Sequence, residues 1–168
     1  MRALLAGLTL LAGATVMAAP ALAQDMSGEW LTEFRERPAA EGGDIRYAIF
    51  TQPGGAALQL GCTPNRIERV LIGFAGNGGA PPSLPQDPAV QYSFDNDAFE
   101  SADWPLFEAG SIEVPRGGKS SAVTRRVTSS LRFQVRAQAA NGQWAEVDFH
   151  VAGGHQLLHD MLEQCGIR

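Results

Sequence analysis

Apolar and polar residues alternate through most of this chain. Trp30, Thr32 and Phe34 share one parity, and Ile45, Tyr47 and Ile49 share another. The same spacing recurs in Leu58, Leu60 and Cys62, in Val70, Ile72 and Phe74, and in Val90, Tyr92 and Phe94. A period of two puts such residues on one face of a pleated strand, so each run predicts a half-buried β-strand. Gly42-Gly43, Pro53-Gly54-Gly55 and a long Gly/Pro stretch from Gly76 to Pro88 punctuate the runs. The last of these is the candidate mobile segment.

The strongest pattern lies nearer the C-terminus. Val127, Ser129, Leu131, Phe133, Val135 and Ala137 face one way, with Thr128, Ser130, Arg132, Gln134 and Arg136 opposite. A second run sets Ala145, Val147, Phe149 and Val151 against Glu146, Asp148 and His150. Both inward sets are odd-numbered, so cross-strand partners must sum to an even number and the loop must hold an odd number of residues. Ala140-Asn141-Gly142 fits, as a type I turn followed by Gly142 in the left-handed region. An Asn-Gly two-residue turn would send one polar face into the core. The three-residue register sets Arg136 opposite Glu146 on the wet face.

After Gly153-Gly154 the period lengthens. Leu158, Met161, Leu162 and Cys165 recur at steps of three and four, which predicts an amphipathic helix from about His155 to Gln164, stopped by Gly166. Cys62 and Cys165 are the only two cysteines, and each falls on the inward side of its element. The expected fold is mainly β: an antiparallel β-sandwich or flattened barrel with one C-terminal α-helix, tied to a strand by a disulfide.

The compartment follows from the N-terminus. Met1-Arg2 is short and positive, Ala3 to Val16 is apolar, and Ala19-Pro20-Ala21-Leu22-Ala23 supplies small residues before Gln24. These three regions in this order predict a signal peptide over 1–23 and a periplasmic or secreted protein of one domain over 24–168. The apolar run is too short for a stable membrane span, and none is expected once the signal is removed. No Cys follows the small residues to take a lipid. The formal net charge is −5, and losing Arg2 with the signal makes it −6. That disfavours nucleic acid and anionic membrane surfaces as partners.

Four arrangements bear on chemistry. His155, His159 and Glu163 stand at i, i+4 and i+8 of the predicted helix, a spacing that metal-binding helices use. They are weak candidates beside the plainer reading, a polar helix face, and no metal or other cofactor is expected. Asp95, Asp97 and Glu100 cluster at a strand end, but Glu100 occupies the position where a calcium loop of the EF-hand kind needs Gly. An Asx turn accounts for them. Gly117-Gly118-Lys119-Ser120 resembles the end of a phosphate loop, yet Glu113 stands where that motif requires its first Gly, and a polar loop between strands is expected. No Gly-x-Ser-x-Gly occurs, and a disulfide leaves no thiol nucleophile. Paired carboxylates from distant strands keep a hydrolase open without singling out a pair.

Three tryptophans remain. Trp30 shares the inward parity of its strand and is expected in the core. Trp104, before Pro105, is either a core plug or an exposed anchor. Trp144 shares parity with Glu146 and faces outward at the hairpin tip. Trp104 and Trp144 are therefore the candidate interaction surface.

The order Leu58-x-Leu60-x-Cys62, Val90-x-Tyr92-x-Phe94-Asp95, Trp104, Leu131-x-Phe133-x-Val135, Val147-x-Phe149-x-Val151-x-Gly153 and Cys165-Gly166 resembles the periplasmic β-sandwich domains typified by the type VI secretion accessory protein VasI. More loosely it is similar to the invasion-associated locus B proteins. The resemblance covers nearly all of 24–168 as a pattern of core positions. It implies a β-sandwich and a Cys62–Cys165 bond, and it carries no catalytic or ligand residues. The functional expectation is a non-enzymatic binding or accessory protein acting through a protein or cell-envelope partner. A small envelope hydrolase using carboxylates or a metal is the alternative from another class, and an inhibitor of a cell-wall enzyme is a third.

Overall fold

A computed structural model describes residues 28–41, 43–75 and 80–167. The expected signal peptide, 1–23, lies outside the described residues. Among the described residues, ten strands form two antiparallel sheets. The larger holds β1 (Glu29–Arg35), β2 (Ile45–Thr51), β3 (Ala57–Thr63), β4 (Arg66–Gly73), β7 (Leu106–Glu108) and β8 (Ser111–Glu113), in the order β1-β2-β3-β4-β8-β7. The smaller holds β5 (Val90–Phe94), β6 (Glu100–Ala102), β9 (Arg132–Gln138) and β10 (Trp144–His150), in the order β10-β9-β5-β6. Two helices pack against the larger sheet: α1 (Gly118–Val127) on β4 and α2 (His155–Gln164) on β2.

The inner face of the larger sheet is set by one row of pairings. Phe50 opposes Leu58 and Leu58 opposes Ile72, which opposes Ile112, while Ala48–Leu60–Val70 form the next row. All seven are buried, and they share one apolar cluster with Phe133, Val135, Phe149, Leu158 and Met161 from the other sheet and α2. Phe94 and Phe133 stack at 4.7 Å, and Phe50 meets Phe149 edge-on at 6.0 Å. Offset and edge-on aromatic pairs of this kind add to the stabilisation that burial alone gives. A bulge between Gly61 and Cys62 turns Glu68 under Arg66 and Arg116, at 2.6 and 3.2 Å.

The hairpin forms in the expected register. Arg136 pairs with Glu146, Val135 with Val147 and Phe133 with Phe149. Gly142 has φ +80° and its N–H donates to the Ala139 carbonyl, the turn that three loop residues require. The C-terminal helix spans the expected residues, Gly166 ends it at φ +71°, and Cys62 is bonded to Cys165 with their Cα atoms 6.2 Å apart.

Several expectations are corrected. Val127, Ser129 and Leu131 do not belong to the hairpin strand: Val127 ends α1, and Leu131 is exposed beyond it. The segment after Gly117 is a helix and no loop between strands. Ser120, Val123, Thr124 and Val127 form its buried stripe, at steps of three and four, and Gly117 precedes it at φ +88°. In β2 the core-facing residues are Ala48 and Phe50. Ile45 and Tyr47 are buried on the opposite face, where the Tyr47 ring lies over Gly61; a Cβ there would sit 2.8 Å from it. Trp30, on the edge strand of the larger sheet, is only half-buried and packs against the core's margin. The Gly/Pro stretch is tied down where it is described. The Ser83 and Gln86 carbonyls accept N–H bonds from Ala140 and Leu106, and Leu84 is buried. Residues 76–79 of that stretch lie outside the described residues.

Candidate functional site

The outer face of the smaller sheet carries a row of side chains that reaches across three strands. Trp144 stands on β10, Arg136 on β9, Gln91 on β5 and Phe99 just before β6. The Arg136 guanidinium lies over the Phe99 ring at 4.2 Å and over the Trp144 ring at 4.9 Å. Its Nε and one terminal nitrogen donate to Gln91 Oε1 at 2.8 and 2.5 Å, and Glu146 lies 3.6 Å from the other terminal nitrogen. Both rings are 39 % exposed. A guanidinium sandwiched between two aromatic faces and fixed by an amide has lost most of its rotamer freedom before any partner arrives. Planar aromatic and Arg side chains held in this way are the types that dominate protein–protein binding energy. Alongside, Gln52, Pro53, Phe99, Gln134, Glu146 and Asp148 line a shallow groove of about 270 Å³.

Parity made Trp144 legible as an outward residue. Arg136 was legible only as a partner of Glu146. Phe99 gave no periodic signal, since it sits in a connection and joins the row only because β5 pairs with β9, Gln91 opposite Arg136.

Trp104 is not part of this surface. It is 3 % exposed and stacks on Tyr92 at 4.8 Å, so of the two readings of this residue the core plug is correct. Pro105 follows it, and from there the chain enters β7, on the other sheet. The neighbouring Tyr92 hydroxyl donates to Glu100 at 3.0 Å, and burial followed by that carboxylate pushes the phenol's pKa up.

The three helix residues do not converge as spaced. His155 turns to the loop before β9, where Nε2 donates to the Ser130 carbonyl at 2.6 Å, so that nitrogen is engaged. His159 and Glu163 instead come together with Asp160 within 4.8 Å, all three exposed. Asp160 accepts a bond from Gln156 at 2.7 Å. The carboxylates near Asp95 also part company. Asp95 has φ +52° and accepts the N–H groups of Leu131 and Arg132 at 2.7 and 3.0 Å. Those two bonds, Arg132's first, hold its pKa below the usual carboxylate range. Asp97 pairs with Arg126 at 2.6 Å, and Glu100 belongs to Tyr92. Lys119 is in the first turn of α1 and exposed. No helix among the described residues is long and apolar enough to cross a membrane.

Compared with protein-family models, with curated proteins and with solved structures, the chain finds no match in any of the three.

Proposed function

We propose that this chain is a non-enzymatic binding or accessory protein of the periplasm or exterior, and that it engages a protein or cell-envelope partner through the outer face of its smaller sheet. The Phe99–Arg136–Trp144 stack carries this reading. It is a preordered, part-exposed aromatic–guanidinium row on a rigid sheet, with a groove beside it. Core demand does not account for its exposure, because the opposite side of the same strands already holds Phe133, Val135, Val147 and Phe149. The signal peptide that the sequence predicts over 1–23 supports the compartment, and the resemblance to periplasmic β-sandwich accessory domains supports the class. A link to a secretion system would follow from that resemblance alone.

The test compares the wild-type protein with the Arg136→Ala/Trp144→Ala variant, both immobilised and exposed to an envelope extract of the native host. The expected result is one or more proteins retained by the wild type and depleted about tenfold or more by the variant, the loss that removing two hot-spot side chains produces. Equal retention on both would overturn the reading.

A further inference from the structure

β1 is the outermost strand of the larger sheet. β2 pairs with one of its edges, and among the described residues no strand pairs with the other. An open edge offers its N–H and C=O groups to any matching strand, and natural proteins shield such edges with Pro, Lys or a bulge. Glu29–Arg35 contains neither residue, and its seven pairings with β2 run without a register shift. Leu31 and Phe34 are 49 % and 46 % exposed along it.

The order of side chains on this edge is complementary to itself. When two identical strands pair antiparallel about a two-fold axis, the numbers of opposed residues have a constant sum. Because side chains alternate, that sum must be even for both sheets to keep their faces. With Thr32 on the axis, Glu29 opposes Arg35 at both ends, Trp30 opposes Phe34 twice, and Leu31 opposes Glu33 twice. With Leu31 on the axis, Glu29 opposes Glu33 twice; with Glu33 on the axis, that carboxylate opposes its own copy. Like charges directly opposed destabilise a sheet and opposite charges support it. Of the three long registers, one alone pairs every terminal charge with its opposite. Arg35 already accepts Glu33 as a neighbour at 2.8 Å on the same face, so it would lie between two carboxylates there. On the inner face Phe34, with the Arg46 guanidinium 4.7 Å from its ring centre, would meet the second copy's Trp30.

We infer that two copies of this chain associate through β1, antiparallel and with Thr32 on the two-fold axis, so that the two six-stranded sheets become one. Sedimentation of the purified exported protein tests it. The wild type should sediment as a dimer at micromolar concentration. Glu29→Arg and Arg35→Glu should each weaken dimerisation on the order of tenfold or more. The E29R/R35E double variant should restore it, and an equimolar mixture of the two single variants should form heterodimers. Thr32→Cys should cross-link as a disulfide dimer on oxidation, since only the residue on the axis faces itself, while Leu31→Cys and Glu33→Cys should not. A monomeric wild type overturns the inference, as do single charge variants that dimerise undiminished or cross-linking that favours position 31 or 33. The Arg136 and Trp144 face takes no part in this contact, so either surface can fail without the other.

Discussion

Cys165, at the end of α2, is bonded to Cys62, the last residue but one of β3, and its carbonyl accepts the N–H of Asn65 at 2.6 Å in the turn that follows. The helix end is thus held to the β3–β4 hairpin by a covalent bond and a backbone hydrogen bond together. The bridge spans 103 residues. Closing so long a loop restricts the unfolded chain by about 4–5 kcal/mol on the chain-entropy account. Cys165→Ser should lower stability by about 3–5 kcal/mol. Thermal melts with and without reductant check this: the wild type should lose melting temperature in reductant, and the variant should not respond. A wild type that melts identically in both would show the bond contributes nothing.

Asp95 ties the β5 end to the start of β9 through two backbone N–H groups. Its carboxylate form accepts both, so the folded-state pKa lies below the unfolded one. The stabilisation is therefore complete above the ordinary carboxylate pKa and is lost as pH falls through the depressed folded value. Asp95→Ala should cost about 1–3 kcal/mol near neutral pH, from two unmet donors and a strained positive φ. Asp95→Asn keeps an acceptor and tolerates that φ, so it should cost less and should flatten the decline of stability below about pH 4. Denaturant titrations of the three proteins at pH 7 and pH 3 separate these outcomes.

The strands that were legible in the sequence are those with one face in the core and one in water. β9 and β10 show this, with Phe133, Val135, Val147 and Phe149 inward and Arg132, Arg136, Glu146 and Asp148 outward. β2 was read on the wrong parity because both of its faces are buried: Ala48 and Phe50 against the second sheet, Ile45 and Tyr47 over Gly61. Periodicity cannot choose between two apolar faces. α1 was missed because half of its buried stripe is Ser120 and Thr124, which carry no hydrophobic signal, and because Val127 fits the parity of the strand that follows. Of the candidate surface, Trp144 was legible from its neighbours. Phe99 was not, since its place beside Arg136 depends on the pairing of β5 with β9, a long-range contact no local pattern encodes.

Thr124 is 1 % exposed on the inner side of α1, and its hydroxyl has no hydrogen-bond partner among the described residues. A buried donor left unmet subtracts from stability, and a methyl group of nearly the same size removes the deficit. Valine and threonine have nearly the same helix propensity, so the exchange costs nothing there. Thr124→Val should therefore raise stability, by about 0.5–1.5 kcal/mol, seen as a higher denaturant midpoint with an unchanged slope. A lower midpoint would mean that the hydroxyl is bonded in solution.

Gly154 precedes α2 and faces the indole of Trp30 so closely that a Cβ there would lie 2.2 Å from the ring. The gap is filled by ring atoms in a packed site, and no flexible side-chain end can swing away. The indole also packs against Phe50, whose ring centre is 5.0 Å away. Gly154→Ala must therefore displace Trp30, at a cost of about 1–3 kcal/mol. Its φ is −99°, so backbone strain adds nothing and the whole effect is steric. The indole would move toward solvent, which tryptophan fluorescence reports as a red shift. Trp30→Leu in the Gly154→Ala background removes the clash, so the alanine should cost markedly less there than in the wild type. A double-mutant cycle over the four proteins measures the difference, and strict additivity would show that the two residues do not touch.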